Sequence, residues 1–277
     1  MGDRVLCLGA GAVTGAGWQL GVVAGLADEG IDLAAADRVI GTSAGALVGA
    51  HLALGHSTGQ IAATLLEIEV DGRLLRPSTL ARLGVAQVWP SRRHAVVWLG
   101  RSATGSGWTP ARGADWAIRL GAGLAGQGWP EGLVVVATDV ASGRPAYFTD
   151  ATGVELETAV AASCALPGVF PPVVIEGRAH FDGALRSLVN LDLAEGADVV
   201  VAVAPFSASA RSHRRPREQA RQLGATTVLL LEPDAGSRRA IGLDPVASGR
   251  SRRALEAGRA FGRSQAARVG AAWRQRG

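Results

Sequence analysis

An α/β fold built on a largely parallel sheet is what this sequence predicts, and two observations carry that reading. Short apolar runs rich in β-branched residues alternate with helix-like segments from one end of the 277-residue chain to the other. Most of these runs are continuously apolar instead of alternating, as expected of strands covered on both faces. With no internal repeat and no dividing linker, residues 1–277 read as a single domain large enough for a sizeable core. Hydrophobic residues make up 48% and charged residues 19%, which excludes a disordered chain.

The elements follow in order. Strands are expected at Arg4–Leu8, Arg38–Ile40, Leu133–Val140, Val173–Glu176, Asp198–Ala204 and Thr226–Glu232. Helices are expected near 17–29, 44–55, 58–69, 111–125, 155–165 and 250–273. Residues 76–130 break the pattern: an irregular insert rich in Gly, Ser and Arg that holds five of the seven tryptophans, namely Trp89, Trp98, Trp108, Trp116 and Trp129. Two readings stand side by side, a cap over an apolar pocket and a peripheral subdomain with its own small core.

Charge separates along the chain. Residues 1–204 carry 13 Arg against 19 acids, and residues 205–277 carry 15 Arg against 5, with no Lys anywhere. A basic C-terminal third (250–277 forming a basic helix) fits an anionic membrane surface or nucleic acid. Without interleaved aromatics or a nucleic-acid module signature, no nucleic-acid partner is expected. On the helix, Leu255, Gly258, Gly262, Ala266, Val269 and Trp273 share one face, and Arg252, Arg259 and Arg263 another. Small residues on the first face suit docking on the domain better than insertion among acyl chains. Arg211, Arg214, Arg215, Arg217 and Arg221 would extend the basic patch if the fold brings them near.

Two cysteines, Cys7 and Cys164, make neither a disulfide framework nor a zinc site, which fits a reducing compartment. No signal peptide and no unbroken run of about 18 apolar residues is seen, so a soluble cytoplasmic chain is expected, peripheral to the membrane if it contacts one. No metal and no cofactor are expected.

The chemistry lies in two glycine motifs and one aspartate. After the first strand, L8-G9-A10-G11-A12-V13-T14-G15-A16-G17 opens a helix, and such a turn offers unpaired N–H groups to negative charge. A dinucleotide site would need an acid ending the second strand, where Gly41-Thr42-Ser43 stands instead. G41-T42-S43-A44-G45 is a G-x-S-x-G pattern between a strand and a helix, so Ser43 sits where a nucleophile elbow would place it. A serine needs a base. Of His51, His56, His94, His180 and His213, only His180 ends a sheet-like stretch, and F181-D182-G183-A184 follows it directly. A Ser–Asp pair and a Ser–His–Asp triad both remain open on these grounds.

Taken together, these pieces resemble the patatin-like phospholipase family, in a bacterial form, over nearly the full chain. The pieces that match, in order, are the Gly-rich turn, G41-T42-S43-A44-G45, the run A-A-S-C-A-L-P-G-V-F-P-P from Ala161 to Pro172, D182-G183-A184, and G196-A197-D198-V199-V200-V201. The resemblance implies a three-layer α/β/α fold with a mostly parallel central sheet. It implies a Ser–Asp dyad without histidine, with Ser43 as nucleophile and Asp182 as base. Ala10, Gly11 and Ala12 would supply oxyanion-hole amides, and Gly15, Gly41, Gly45, Gly183 and Ala184 complete the motifs. The family's G-x-G-x-x-G aligns with A10-G11-A12-V13-T14-G15, so alanines replace its first two glycines, at a cost if either position needs φ > 0. Many members carry Arg or Lys where Thr14 stands, and that cation is missing here. His180 is expected to be a satisfied neighbour of the site, and Cys164 a small core residue.

The function these residues imply is hydrolysis of lipid acyl esters (phospholipid, lysophospholipid or a simpler ester) through an acyl-enzyme. Two alternatives accompany it: acyl transfer to an alcohol, and a catalytically weak lipid-binding or regulatory protein, kept alive by Ala10 and Ala12.

Overall fold

The computed structural model describes residues 3–68, 77–104, 110–121, 123–209 and 215–274. Trp108, Arg211, His213 and Arg214 lie outside them. Among the described residues eight strands form one sheet: β1 (Arg4–Leu8), β2 (Arg38–Thr42), β3 (Leu133–Asp139), β4 (Pro145–Phe148), β5 (Val173–Ile175), β6 (Arg178–Asp182), β7 (Val199–Val203) and β8 (Thr227–Leu231). Their order is β5-β6-β3-β2-β1-β7-β8, and β4 pairs with β3 beside that path. The run β3-β2-β1-β7-β8 is parallel, whereas β4, β5 and β6 pair antiparallel.

Side chains alternate across each strand, so β1 feeds two separate cores. Leu6 and Leu8 join one cluster and Val5 and Cys7 the other. The larger cluster lies under helices α1 (Ala12–Asp28), α2 (Ala44–Ala53), α3 (Thr58–Glu67), α7 (Leu156–Ser163) and α10 (Ser251–Trp273), through residues such as Trp18, Val48, Leu65, Val160 and Ala254. The smaller is closed by Leu191 and Ala194 of a 3-10 turn and by Leu223, which follows α8 (Pro216–Gln222). The result is the three-layer α/β/α architecture, mostly parallel at its centre.

Helix α10 lies along α1 at backbone contact. A Cβ on Gly258 would fall 2.2 Å from the Trp18 carbonyl oxygen, and one on Gly21 would fall 2.1 Å from that of Leu255. Arg259 and Arg263, placed on a free basic face by periodicity, both bind the Asp28 carboxylate, with nitrogen–oxygen distances of 2.7 Å. That pairing takes two charges out of the expected patch. Helix α9 (Ala235–Ile241) completes the C-terminal part.

Residues 76–130 are not irregular where they are described. They form α4 (Pro77–Val88), α5 (Arg92–Thr104) and α6 (Pro110–Leu120). Gly, Ser and Arg dilute an inward spacing that is nonetheless present: Thr79 and Ala86 are buried with Leu83 half-buried between them, and α5 buries Ala95, Val96 and Leu99. Trp89 stacks on Trp98 with ring centroids 5.3 Å apart. The expected strand Val173–Glu176 is half of a hairpin. Glu176 and Gly177 have φ of 50° and 74° and turn β5 directly into β6.

Candidate active site

Strand register explains how two residues 139 positions apart meet. Thr42, last of β2, pairs with Val136 of β3, and Asp182, last of β6, pairs with the next β3 residue, Ala137. The two strands therefore end beside each other along β3. The Ser43 hydroxyl donates to Asp182 Oδ2 at 2.7 Å, and both residues are buried. The other carboxylate oxygen, Oδ1, accepts the Ala184 N–H at 2.8 Å, which fixes the rotamer. Burial pushes the Asp182 carboxyl up to about 7, against the hydrogen bonds from Ala184 and Ser43 that favour its ionised form.

The elbow is strained and tightly built. Ser43 has φ 56° and ψ −125°, unusual for a non-glycine residue and typical of a strand-to-helix nucleophile turn. Gly45 is required because a Cβ there would lie 2.1 Å from the Leu8 carbonyl oxygen; at Gly183 it would lie 2.2 Å from that of Val136. A Cβ on Gly41, within β2, would lie 2.5 Å from the Ala46 Cα, and one on Gly15, within α1, 3.1 Å from the Pro205 Cβ.

Several supporting residues were not legible as such in the sequence. The Ser163 hydroxyl accepts the Ser43 N–H at 2.8 Å and donates to the Val136 carbonyl at 2.6 Å, so the strained residue is tied to β3. Asn190, itself at φ 54°, donates from Nδ2 to the Thr42 hydroxyl at 2.9 Å. The Thr138 hydroxyl donates to the Asp182 carbonyl at 3.1 Å, and Gln19 Nε2 to the Gly9 carbonyl at 2.9 Å. The one available signal was Ser163 itself, the hydroxyl inside the apolar run A161-A162-S163-C164.

The Gly-rich turn faces the same cavity as Ser43. Gly11, Ala12 and Val13 line it, and their main-chain N–H groups have no acceptor among the described residues. Ala10 differs: its N–H donates to the Leu188 carbonyl at 2.7 Å, so Ala10 positions the turn and offers no oxyanion donor. Ala12 stands at φ 48°, the left-handed region where alanine is strained, and Ala10 does not. Thr14 spends its amide and hydroxyl on the Pro245 carbonyl, at 3.0 and 3.3 Å.

The described histidines stay apart from the pair. Among the described residues no imidazole bonds Ser43 or Asp182, and none lines the cavity. His51 and His56 share a 2.8 Å contact between their Nδ1 atoms, and His94 is exposed on α5. His180 packs edge-on to Phe148, is held below its ordinary pKa by burial, and leaves Nδ1 without a partner among the described residues. It is a neighbour of the site, though not a fully satisfied one. Cys164 lines the cavity; burial, then the charge of Asp182, push its thiol well up and keep it protonated.

The cavity measures about 290 Å³ and is walled mostly by apolar side chains, including Leu47, Leu65, Leu83, Leu120, Phe170 and Val246. Its size is at the small end of ligand pockets. A second cleft of about 250 Å³, near Arg186 and Asp192, is polar and holds neither Ser43 nor Asp182.

A three-layer α/β/α protein with an elbow serine against a buried aspartate, at the end of an apolar cavity, is the class that fold and site define. The chain belongs to the patatin-like phospholipase family, whose model matches residues 6–195. Among solved structures it is similar to VipD from Legionella pneumophila, at 17% identity over 87% of this chain and 53% of that one, with a TM-score of 0.43. It is also similar to the type III effector protein ExoU, at 17% identity over 96% of this chain and 53% of that one, with a TM-score of 0.42. The chain thus spans about half the length of each.

Proposed function

We propose that this protein hydrolyses carboxylic esters of lipids through a Ser43–Asp182 dyad and an acyl-enzyme. The observation that carries this reading is the 2.7 Å hydrogen bond from the Ser43 hydroxyl to a buried Asp182 at the apolar cavity. Asp182 Oδ2 takes the hydroxyl proton as Ser43 Oγ adds to the ester carbonyl carbon. The resulting oxyanion is received by the N–H groups of Gly11, Ala12 and Val13, with the dipole of α1 behind them. Collapse of the intermediate expels the alcohol, which leaves with the proton from Asp182. Water then adds to the acyl-enzyme with Asp182 again as base, and the proton returns to Ser43 Oγ.

A carboxylate near pKa 7 suits this work, since it is a stronger base than a solvated aspartate yet ionised above neutrality. The acyl chain occupies the cavity, and α4 and α6, which contribute Leu80, Leu83 and Leu120 to its walls, act as the cap. Charge-based contact with an anionic membrane now rests on exposed arginines such as Arg252, Arg253 and Arg268.

Labelling with a fluorophosphonate probe, followed by turnover of short- and medium-chain p-nitrophenyl esters, tests the proposal. Ser43→Ala is expected to abolish labelling, and Ser43→Ala and Asp182→Asn each to lower turnover by about 10²-fold or more while the fold is kept. His180→Ala is expected to retain substantial activity. More than about a tenth of the rate surviving in Asp182→Asn, or collapse of a folded His180→Ala, refutes the dyad. Added alcohol distinguishes hydrolysis from transfer by the products formed.

A further inference from the structure

We propose that the outward face of α4, with Ile118 and Leu243, is the surface through which this protein meets aggregated lipid, an apolar contact that continues into the cavity. The proposal rests on the acyl-ester reading above. Six large apolar side chains are exposed among the described residues: Leu80, Val85, Val88, Ile118, Tyr147 and Leu243. Single exposed apolar residues are ordinary, but concentrated ones mark an interaction surface. Five of these six lie on segments that also wall the cavity holding Ser43: α4 through Leu80 and Leu83, α6 through Leu120, and the 242–246 segment through Pro245 and Val246. The sixth, Tyr147, lies under the Arg186 guanidinium, 5.8 Å from its ring centroid.

Helix α4 makes the strongest case. Leu80, Ala81, Gly84, Val85 and Val88 fall on one side of the helix, opposite Thr79 and Ala86. All five are exposed and none is charged. A helix that is apolar on its inner and its outer side is one that something else covers. Leu80 identifies what: it is 52% exposed and also lines the cavity that holds Ser43, so the outer face and the cavity share an apolar side chain. An acyl chain drawn from a lipid layer over that surface passes from one apolar environment to another without being hydrated. Leu243 is wholly exposed, and two residues later Pro245 is fixed by its hydrogen bonds from Thr14 to the turn that carries Gly11 and Ala12. The segment is therefore held against the Gly-rich turn.

The test uses the full chain in a Ser43→Ala background, so that binding is read without turnover. Sedimentation with phosphatidylcholine vesicles, at low and high salt, is expected to show binding that salt does not weaken. Val85→Asp with Val88→Asp, and separately Leu243→Asp, are expected to lower the bound fraction about tenfold or more. Leu243→Asp lies outside helices and serves if the double variant misfolds. With Ser43 restored, neither variant is expected to change hydrolysis of monomeric p-nitrophenyl butyrate. Unchanged vesicle binding in both variants overturns the proposal, as does binding lost at high salt, which would move the contact to the arginines. Variants that split a dimer without altering vesicle binding overturn it too, by making α4 a contact between copies. If the wild-type chain hydrolyses no ester while the vesicle pattern appears as expected, the catalytic reading fails and the surface stands.

Discussion

At the residue scale, Asp182 links activity and stability to pH in opposite directions. In the proposed mechanism its ionised form is the base, so kcat/KM is expected to rise with pH through a limb near 7, well above an ordinary aspartate. The native state holds this proton up to about pH 7 while the unfolded chain releases it near 3.8, as a solvated aspartate does. Stability from this group is therefore full below about 3.8 and is lost as pH rises through about 7. Asp182→Asn is expected to be inactive yet more stable than wild type at pH 8, by a margin on the order of 4 kcal/mol that shrinks toward pH 4. Thermal melts of both proteins across that range measure it, and a margin independent of pH contradicts it. Ala12 offers a second residue-level check. Relief of its φ of 48° in Ala12→Gly is expected to raise stability by about 1 kcal/mol with little change in kcat, while Ala10→Gly brings no gain. A tenfold rise in kcat for Ala12→Gly would instead show a native hole impaired by alanine. Ser43 and Asp182 were legible in the sequence because a glycine elbow and a D-G turn are local. Ser163, Asn190 and Thr138 were not, because their hydrogen bonds join distant strand ends and leave no spacing to read.

At the element scale, α1 and α10 show how small residues set helix position. Backbones in contact at Gly21 and Gly258 leave no room for a side chain. Gly258→Leu is expected to cost about 1–3 kcal/mol or more, seen as a fall in melting temperature, whereas substitution of exposed Arg252 is expected to change it little. A neutral Gly258→Leu would mean that α10 can ride higher on α1. Strands β1, β2, β3, β7 and β8 were readable because two-sided burial makes them continuously apolar. β4 was not, and β6 was read only as a sheet-like stretch ending at His180, since Pro145–Phe148 and Arg178–Asp182 mix polar and apolar residues at the margin of the sheet. Helices α4 and α5 were missed because Gly, Ser and Arg dilute the apolar spacing of their inner faces.

At the scale of the whole molecule, the family match ends at residue 195, but the sheet does not. β7 pairs with β1 at its centre, and α10 covers α1. A chain cut to residues 1–195 leaves β1 with a bare edge and α1 uncovered, and is expected to aggregate; a soluble, cooperatively melting fragment would contradict this. No described helix is long and apolar enough to cross a membrane. The pairing of Arg259 and Arg263 with Asp28 shows why counting charges along the chain overestimates the basic share. The alternation of strands and helices, the elbow at Ser43 and the turn at Asp182 are determined by the sequence itself, because backbone geometry and burial period act over a few residues. Only the tertiary structure decided that Thr42 and Asp182 end at adjacent positions of β3, that the Ala10 amide belongs to Leu188, and that the insert lays an apolar helix beside the cavity. Each of these depends on strand register and packing between segments remote along the chain, where no local period carries the information.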